Sequence, residues 1–169
     1  MMEQMSAFEI AKALNAEYHG EEVAIDHIST DSRDLSGNCL FVALEGERTD
    51  GHRYVAAALR GGARLAVVQK PVEGLTPEEE SRLLRVENPF YAPLAIAAAY
   101  RSHYSLLTVG VTGSVGKTTT KDFIAAVLSA RYKTLKSQGN HNNEFGLPTT
   151  VFELDPSYQA GVFEMGMDA

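Results

Sequence analysis

Residues 109–120 read Val-Gly-Val-Thr-Gly-Ser-Val-Gly-Lys-Thr-Thr-Thr, an apolar run followed by a glycine loop, a lysine and three threonines. Loop glycines let successive backbone N–H groups turn on one anion. The following helix N-terminus adds partial positive charge, a lysine reaches outer phosphate oxygens, and a hydroxyl can ligate a hard cation. The chemistry on offer is the cradling of a polyphosphate by Gly113, Ser114, Val115, Gly116, Lys117, Thr118 and Thr119. The general spacing G-x-x-x-x-G-K-[ST] would place its first glycine at 111, where this chain has Val111; its own loop is the shorter Gly113-x-x-Gly116-Lys117-Thr118. A strand before, a helix after and a lysine in register favour nucleotide binding over an ordinary turn.

Three further groups carry chemistry. Glu164 ends the apolar run Gly161-Val162-Phe163. On a parallel neighbour strand its carboxylate would be aimed at the phosphate loop, so Thr118 and Glu164 are the expected oxygen donors for Mg²⁺. Between them, Asn140, Asn142 and Asn143 sit in a glycine-flanked loop, residues 137–148, whose amides both donate and accept hydrogen bonds. In the first half, Ser29-Thr30-Asp31-Ser32-Arg33 packs hydroxyls, a carboxylate and a guanidinium into five residues after an expected strand. The cluster Gly46, Glu47, Arg48, Asp50, Gly51 and His52 adds a second arginine between a strand and a helix. Together the two clusters suggest a second anion site, suited to a phosphate or ribose, on a separate domain.

The elements that must position these groups follow from pattern. Ser6-Ala7-Phe8-Glu9 is a capping box, and Phe8, Ile10, Ala11 and Leu14 recur at helical spacing, so the sequence predicts a helix near 6–15. Strands are expected at 23–28, 39–44, 65–68 and 83–86. A helix over 54–59 is stopped by Gly61-Gly62, and a polar loop over 70–82 has room for a short helix. Asn88-Pro89 opens an alanine-rich helix running to Tyr104, its regular start delayed by Pro93. Strands at 106–111 and 159–163 flank a helix over 118–130. The expected fold class is α/β: an N-terminal domain over 1–87, then residues 88–169 as the opening of a phosphate-loop parallel-sheet domain. Two or three strands do not complete such a sheet, so the chain reads as part of a longer protein.

Composition narrows the classes. The 169 residues hold 15 Lys and Arg against 22 Asp and Glu, a net charge of −7 that opposes nucleic-acid backbones. No stretch approaches a membrane span or a signal peptide, which makes a cytoplasmic location the expectation. The five histidines lack partners at metal-ligand spacing, and the lone Cys39 lies in an apolar run with no catalytic role expected.

Taken together, Thr112 to Lys121, the loop Gly139 to Pro148 and Glu164-Met165-Gly166 resemble the Mur ligase family of peptidoglycan synthesis over nearly the whole chain. The asparagine loop is the most specific of the three. Within that family the residues are most similar to the member that adds D-alanyl-D-alanine. The resemblance implies an ATP-dependent amide ligase that activates the terminal carboxylate of UDP-N-acetylmuramoyl-tripeptide as an acyl phosphate, which the amine of D-alanyl-D-alanine attacks. It implies that the loop and Lys117 hold the phosphates, that Thr118 and Glu164 hold Mg²⁺, and that Asn140, Asn142 and Asn143 orient substrate and transferring phosphate. The Ser29 to Arg33 and Gly46 to His52 clusters match its UDP-sugar side. It also implies that the base-binding residues, a carbamoylated lysine and a third, dipeptide-binding domain lie outside this chain, which alone should not complete the reaction. Another ligase of the same family, a phosphate-loop kinase or GTPase, or a nucleotide- or UDP-sugar-binding module without turnover, would share the loop; the kinase or GTPase predicts purine-specificity motifs and no UDP domain.

Overall fold

The computed structural model describes residues 2–46, 49–139 and 141–166, and divides the chain into two compact units, 3–96 and 97–169. The division falls between Ile96 and Ala97, inside the alanine-rich helix, where the sequence had suggested a break after 87.

The first unit opens with β1 (Met5–Ser6) and α1 (Ala7–Ala13), whose N-cap Ser6 accepts the Glu9 N–H through Oγ at 3.1 Å. Ala7, Ile10 and Ala11 are buried, the spacing of one helical face. The strand expected over 23–28 is two strands in different sheets. β2 (Ala24–Ile25) pairs antiparallel with β1, and β3 (His27–Ser29) joins a parallel sheet. The break falls at Asp26, whose carboxylate takes the Asn38 backbone N–H at 2.9 Å and the Asn38 side-chain amide at 3.3 Å. The parallel sheet has the order β3-β4-β5-β6, with β4 (Cys39–Val42), β5 (Leu65–Val68) and β6 (Leu83–Arg85). β4 and β5 are buried at every position, as parallel strands covered on both faces must be. α2 (Val55–Gly61) lays Val55, Ala58 and Leu59 on a core containing Phe41, Ala66, Val68 and Leu83.

The polar loop before β6 does hold a short helix, α3 (Pro77–Ser81), closed by a reciprocal Thr76 and Glu79 capping box. Glu79 also receives Arg60 on both oxygens, at 2.7 and 3.0 Å. A 3₁₀ turn over Pro89–Tyr91 leads into α4 (Ala92–Ser102), so Pro93 lies in the first turn, where its missing N–H costs no helical bond.

In the second unit β7 (Leu107–Val111), β8 (Thr134–Lys136) and β9 (Ala160–Glu164) form a parallel sheet of order β7-β9-β8, with α5 (Lys117–Ser129) and α6 (Gly146–Val151) in the connections. β9 is central and buried throughout, Val162 packing with Val111 and Ala125. Tyr100 is anchored by its hydroxyl on the Leu154 carbonyl at 2.7 Å. Neither β8 nor α6 is expected from the sequence. β8 is only three residues long, and α6 reads Gly-Leu-Pro-Thr-Thr-Val, a poor helix former started by Asn143 Oδ1 accepting the N–H groups of Phe145 and Gly146. Among the described residues no helix is long and apolar enough to cross a membrane.

The Arg60 guanidinium is the main reason that the Glu79 carboxyl is held down at about 2, against 4.5 for the free group. A carboxyl depressed on folding stabilises the fold above its unfolded pKa and loses that contribution as pH falls through the folded one. Glu79→Gln should therefore melt below wild type at neutral pH. The gap between the two melting curves should narrow as pH falls from 4.5 toward 2. A gap that is constant with pH in scanning calorimetry would contradict the assignment.

Candidate functional site in the second unit

β7 ends at Val111, directly opposite Glu164 at the end of β9. That register sets the loop after β7 beside the carboxylate, as the sequence had suggested. The loop is made by backbone that side chains resist: Gly113 has φ of 139° and Gly116, the N-cap of α5, has φ of 80°. Ser114, Val115, Thr118 and Thr119 are exposed around it, Val115 with 93% of its surface free. Lys117 is half-buried and curls back, its Nζ donating to the Gly113 carbonyl at 2.7 Å.

Glu164 is 2% exposed. Its Oε2 accepts the Thr118 hydroxyl at 3.0 Å and lies 3.3 Å from Lys121 Nζ, while Oε1 accepts the Asn142 side-chain amide at 3.1 Å. The Glu164 N–H donates to Ser137 Oγ at 3.1 Å. Burial pushes the Glu164 carboxyl upward, but the hydrogen bonds from Thr118, Asn142 and Lys121 together outweigh it and leave the pKa below the ordinary glutamate value. Lys121, 2% exposed, is the member whose role the sequence reading missed. Its signal was its place four residues after Lys117 and three after Thr118, on the face of α5 that carries both.

The asparagines divide. Asn142 reaches Glu164, and its carbonyl receives the Gly166 N–H at 2.6 Å. Asn143 spends Oδ1 on starting α6, and Asn140 lies outside the described residues.

Thr118 and Glu164 suit a hard divalent cation. Both offer oxygen, and a hydroxyl whose proton is committed to Glu164 keeps its lone pairs outward. Among the described residues no group of three or more His, Cys, Asp or Glu converges. An ion such as Mg²⁺, which takes much of its shell from phosphate and water, would need no more protein oxygens than these two.

The two clusters of the first unit lie after the ends of β3 and β4. Ser29 Oγ and the Asp31 backbone form a tight turn, with both bonds at 3.0 Å, and Asp31 holds the Arg33 guanidinium through Nε and Nη2. Thr30 and Arg33 are exposed, and Asp31 and Ser32 are half-buried. In the second cluster the Gly51 N–H closes on the Leu44 carbonyl at 2.8 Å, and Gly46 is exposed. Glu47 and Arg48 lie outside the described residues. His52 is buried and fully engaged. Nε2 accepts the N–H groups of Gln69 and Lys70 at 3.0 and 3.3 Å, so Nδ1 carries the hydrogen facing Asp50 Oδ1 at 2.6 Å. Its ring ties this loop to the end of β5 and has no nitrogen left for a ligand, although the sequence had suggested a ligand contact. Asp50 is meanwhile bonded by Lys70 at 3.4 Å, and Lys70 also pairs with Glu45 at 2.6 Å.

A parallel sheet whose strand runs through a glycine loop into a helix, with a carboxylate closing the neighbouring strand, is the phosphate-loop form of the α/β class. Within that class, residues 111–169 match the Mur ligase middle domain, and residues 24–100 match the Mur ligase family, catalytic domain. The chain belongs to the Mur ligase family. It is 46% identical over 147 residues to a Synechocystis protein named UDP-N-acetylmuramoyl-tripeptide–D-alanyl-D-alanine ligase, covering 87% of this chain and 32% of that one. A Bacillus subtilis protein of the same name is 38% identical over 161 residues, covering 95% and 35%. Among solved structures, MurF from Acinetobacter baumannii superposes with a TM-score of 0.79 at 32% identity over 98% of this chain and 36% of that one. MurF ligase from Thermotoga maritima in complex with ADP gives 0.69 at 32% identity, over 83% and 32%. The chain thus spans about a third of the length of the relatives it matches.

Removing Glu164 would strand the buried Lys121 ammonium. Glu164→Ala should lower unfolding stability by about 3 kcal/mol. Urea denaturation checks this, and a change within ~0.5 kcal/mol, the range of surface substitutions, would show that the pair is not what holds these segments.

Proposed function

We propose that this chain carries the UDP-substrate and phosphate-gripping parts of an ATP-dependent amide ligase that joins D-alanyl-D-alanine to UDP-N-acetylmuramoyl-tripeptide in the cytoplasm. The observation that carries the reading is the convergence of Lys117, Thr118 and Glu164 where β7 and β9 end side by side. The names of the relatives and the ADP held by the Thermotoga maritima neighbour support the same substrates and nucleotide here.

In this reading the backbone N–H groups from Gly113 to Gly116 and the Lys117 ammonium receive the ATP phosphates, adding positive charge where negative charge accumulates. The tripeptide carboxylate attacks the γ-phosphorus, ADP leaves, and an acyl phosphate forms. The dipeptide amine then attacks the acyl carbon, releasing phosphate and a proton as the amide forms. Thr118 and Glu164 would hold Mg²⁺, which when bound would supply charge neutralisation for the phosphates. Asn142 and Asn143 fix the loop that borders the transferring phosphate, and Asn140 belongs to the same loop. Ser29, Thr30, Asp31, Ser32, Arg33, Gly46, Glu47, Arg48, Asp50 and Gly51 meet the UDP-sugar, with His52 holding their loop in place.

Lys117→Ala in the full-length protein should abolish ligation, a loss of about a hundredfold or more in turnover, because a charge-assisted phosphate contact is lost at the transition state. Calorimetric titration of the same variant with UDP-N-acetylmuramoyl-tripeptide should give wild-type affinity, since the proposed UDP-sugar residues are others. Wild-type phosphate release by the variant would overturn the reading.

A further inference from the structure

We propose that Lys121 is a positioning residue that holds the Glu164 carboxylate and the start of the asparagine loop in register with the phosphate loop. Three segments meet on its ammonium. The lysine belongs to α5, Nζ donates to the Gly139 carbonyl at 3.1 Å, and it lies 3.3 Å from Glu164 Oε2. Gly139 immediately precedes Asn140, and Asn142 two residues further grips the other oxygen of the same carboxylate. Glu164 is thereby fixed from both sides: Oε2 toward α5 by Thr118 and Lys121, Oε1 toward the loop by Asn142.

A purely structural account fits the helix poorly. α5 buries this lysine to 2% exposure, with its ammonium turned to a carboxylate and a backbone carbonyl rather than to solvent. For stability alone, well-packed apolar side chains serve a buried site as well as an ion pair, because the pair must first offset the loss of hydration. An ammonium offers what an apolar side chain cannot: directed donors to a carboxylate and a carbonyl at once. Lys121 sits one helical turn after Lys117 and on the face of Thr118. Its hold is therefore on the carboxylate's direction, while Lys117 remains the lysine at the loop.

The proposal rests on the reading of Thr118 and Glu164 as divalent-cation ligands, and its test separates the two. In the full-length protein, Lys121→Met keeps the length of the side chain and removes the donors. Hydrogen exchange over 137–146 should then rise about tenfold, with α5 amides unchanged. The gain in ADP affinity on adding Mg²⁺, measured by calorimetry, should shrink about ten- to a hundredfold, as for other groups that orient a metal ligand, while metal-free ADP affinity stays at the wild-type value. Lys121→Arg, which restores charge and donors, should recover part of both. Wild-type protein with no Mg²⁺-dependent gain would overturn the cation reading itself. With that gain present, its persistence in a folded Lys121→Met would overturn only the positioning role. So would a variant in which α5 exchange rises and metal-free affinity falls equally, the mark of general loosening. Should Lys121→Met not fold, Lys121→Gln keeps a neutral donor and is held to the same readings.

Discussion

The second unit depends on one buried carboxylate. Moving Glu164 out of water costs several kcal/mol unless donors replace the lost hydration. Those donors come from two places in the chain, Thr118 and Lys121 on α5 and Asn142 in the loop before α6, while Ser137 Oγ accepts the Glu164 backbone N–H. None can shift without leaving the charge unsatisfied. The carboxylate therefore works as a fixed point that sets where α5 begins and where the asparagine loop lies. Because β9 is the middle strand, bonded to β7 and β8 on either side, that fixed point is itself immobile.

The first unit solves a related problem with a neutral group. The loop between β4 and α2 must return close to its starting point, which it does through the Gly51 to Leu44 bond and the pairing of Glu45 with Asp50. His52 then links this loop to β5, taking two backbone N–H groups on one nitrogen and facing Asp50 with the other. A buried imidazole with both nitrogens engaged costs far less than a buried ion. Loops at the carboxyl ends of parallel strands are where α/β proteins place ligand contacts, and each unit uses an internal polar group to hold such loops still.

Legibility in the sequence followed the range of the interactions. The phosphate loop and α5 are local: glycines, a lysine and hydroxyls at fixed offsets. The buried strands β4 and β5 are short apolar runs, equally local. Glu164 was readable as an acid at the end of an apolar strand, although its burial was not. What escaped the reading depends on partners distant in sequence. The strand over 23–28 breaks because Asp26 finds Asn38, and β8 exists because β9 lies beside it. Lys121 was given no role from the sequence, since its spacing places it on the face of Lys117 and Thr118 but does not announce a carboxylate 43 residues later. His52 looked like a ligand contact for the same reason, its acceptor role being set by backbone at 69 and 70.

The opening of α5 runs against what helix stability alone would choose. Its first turn has no acidic residue, begins with Lys117, and continues through three threonines of modest helix propensity. Cations at a helix N-terminus oppose the macrodipole, so a helix selected for its own stability would place Asp or Glu there. Lys121, one turn on, is answered by Glu164, whereas Lys117 donates to a neutral carbonyl. The end of α5 at the loop therefore concentrates positive charge and unpaired N–H groups, each unfavourable in isolation. The packed β9 core and the Glu164 network oppose these costs. An anion arriving at the loop relieves several of them at once, and that makes a polyphosphate the ligand for which this arrangement is consistent.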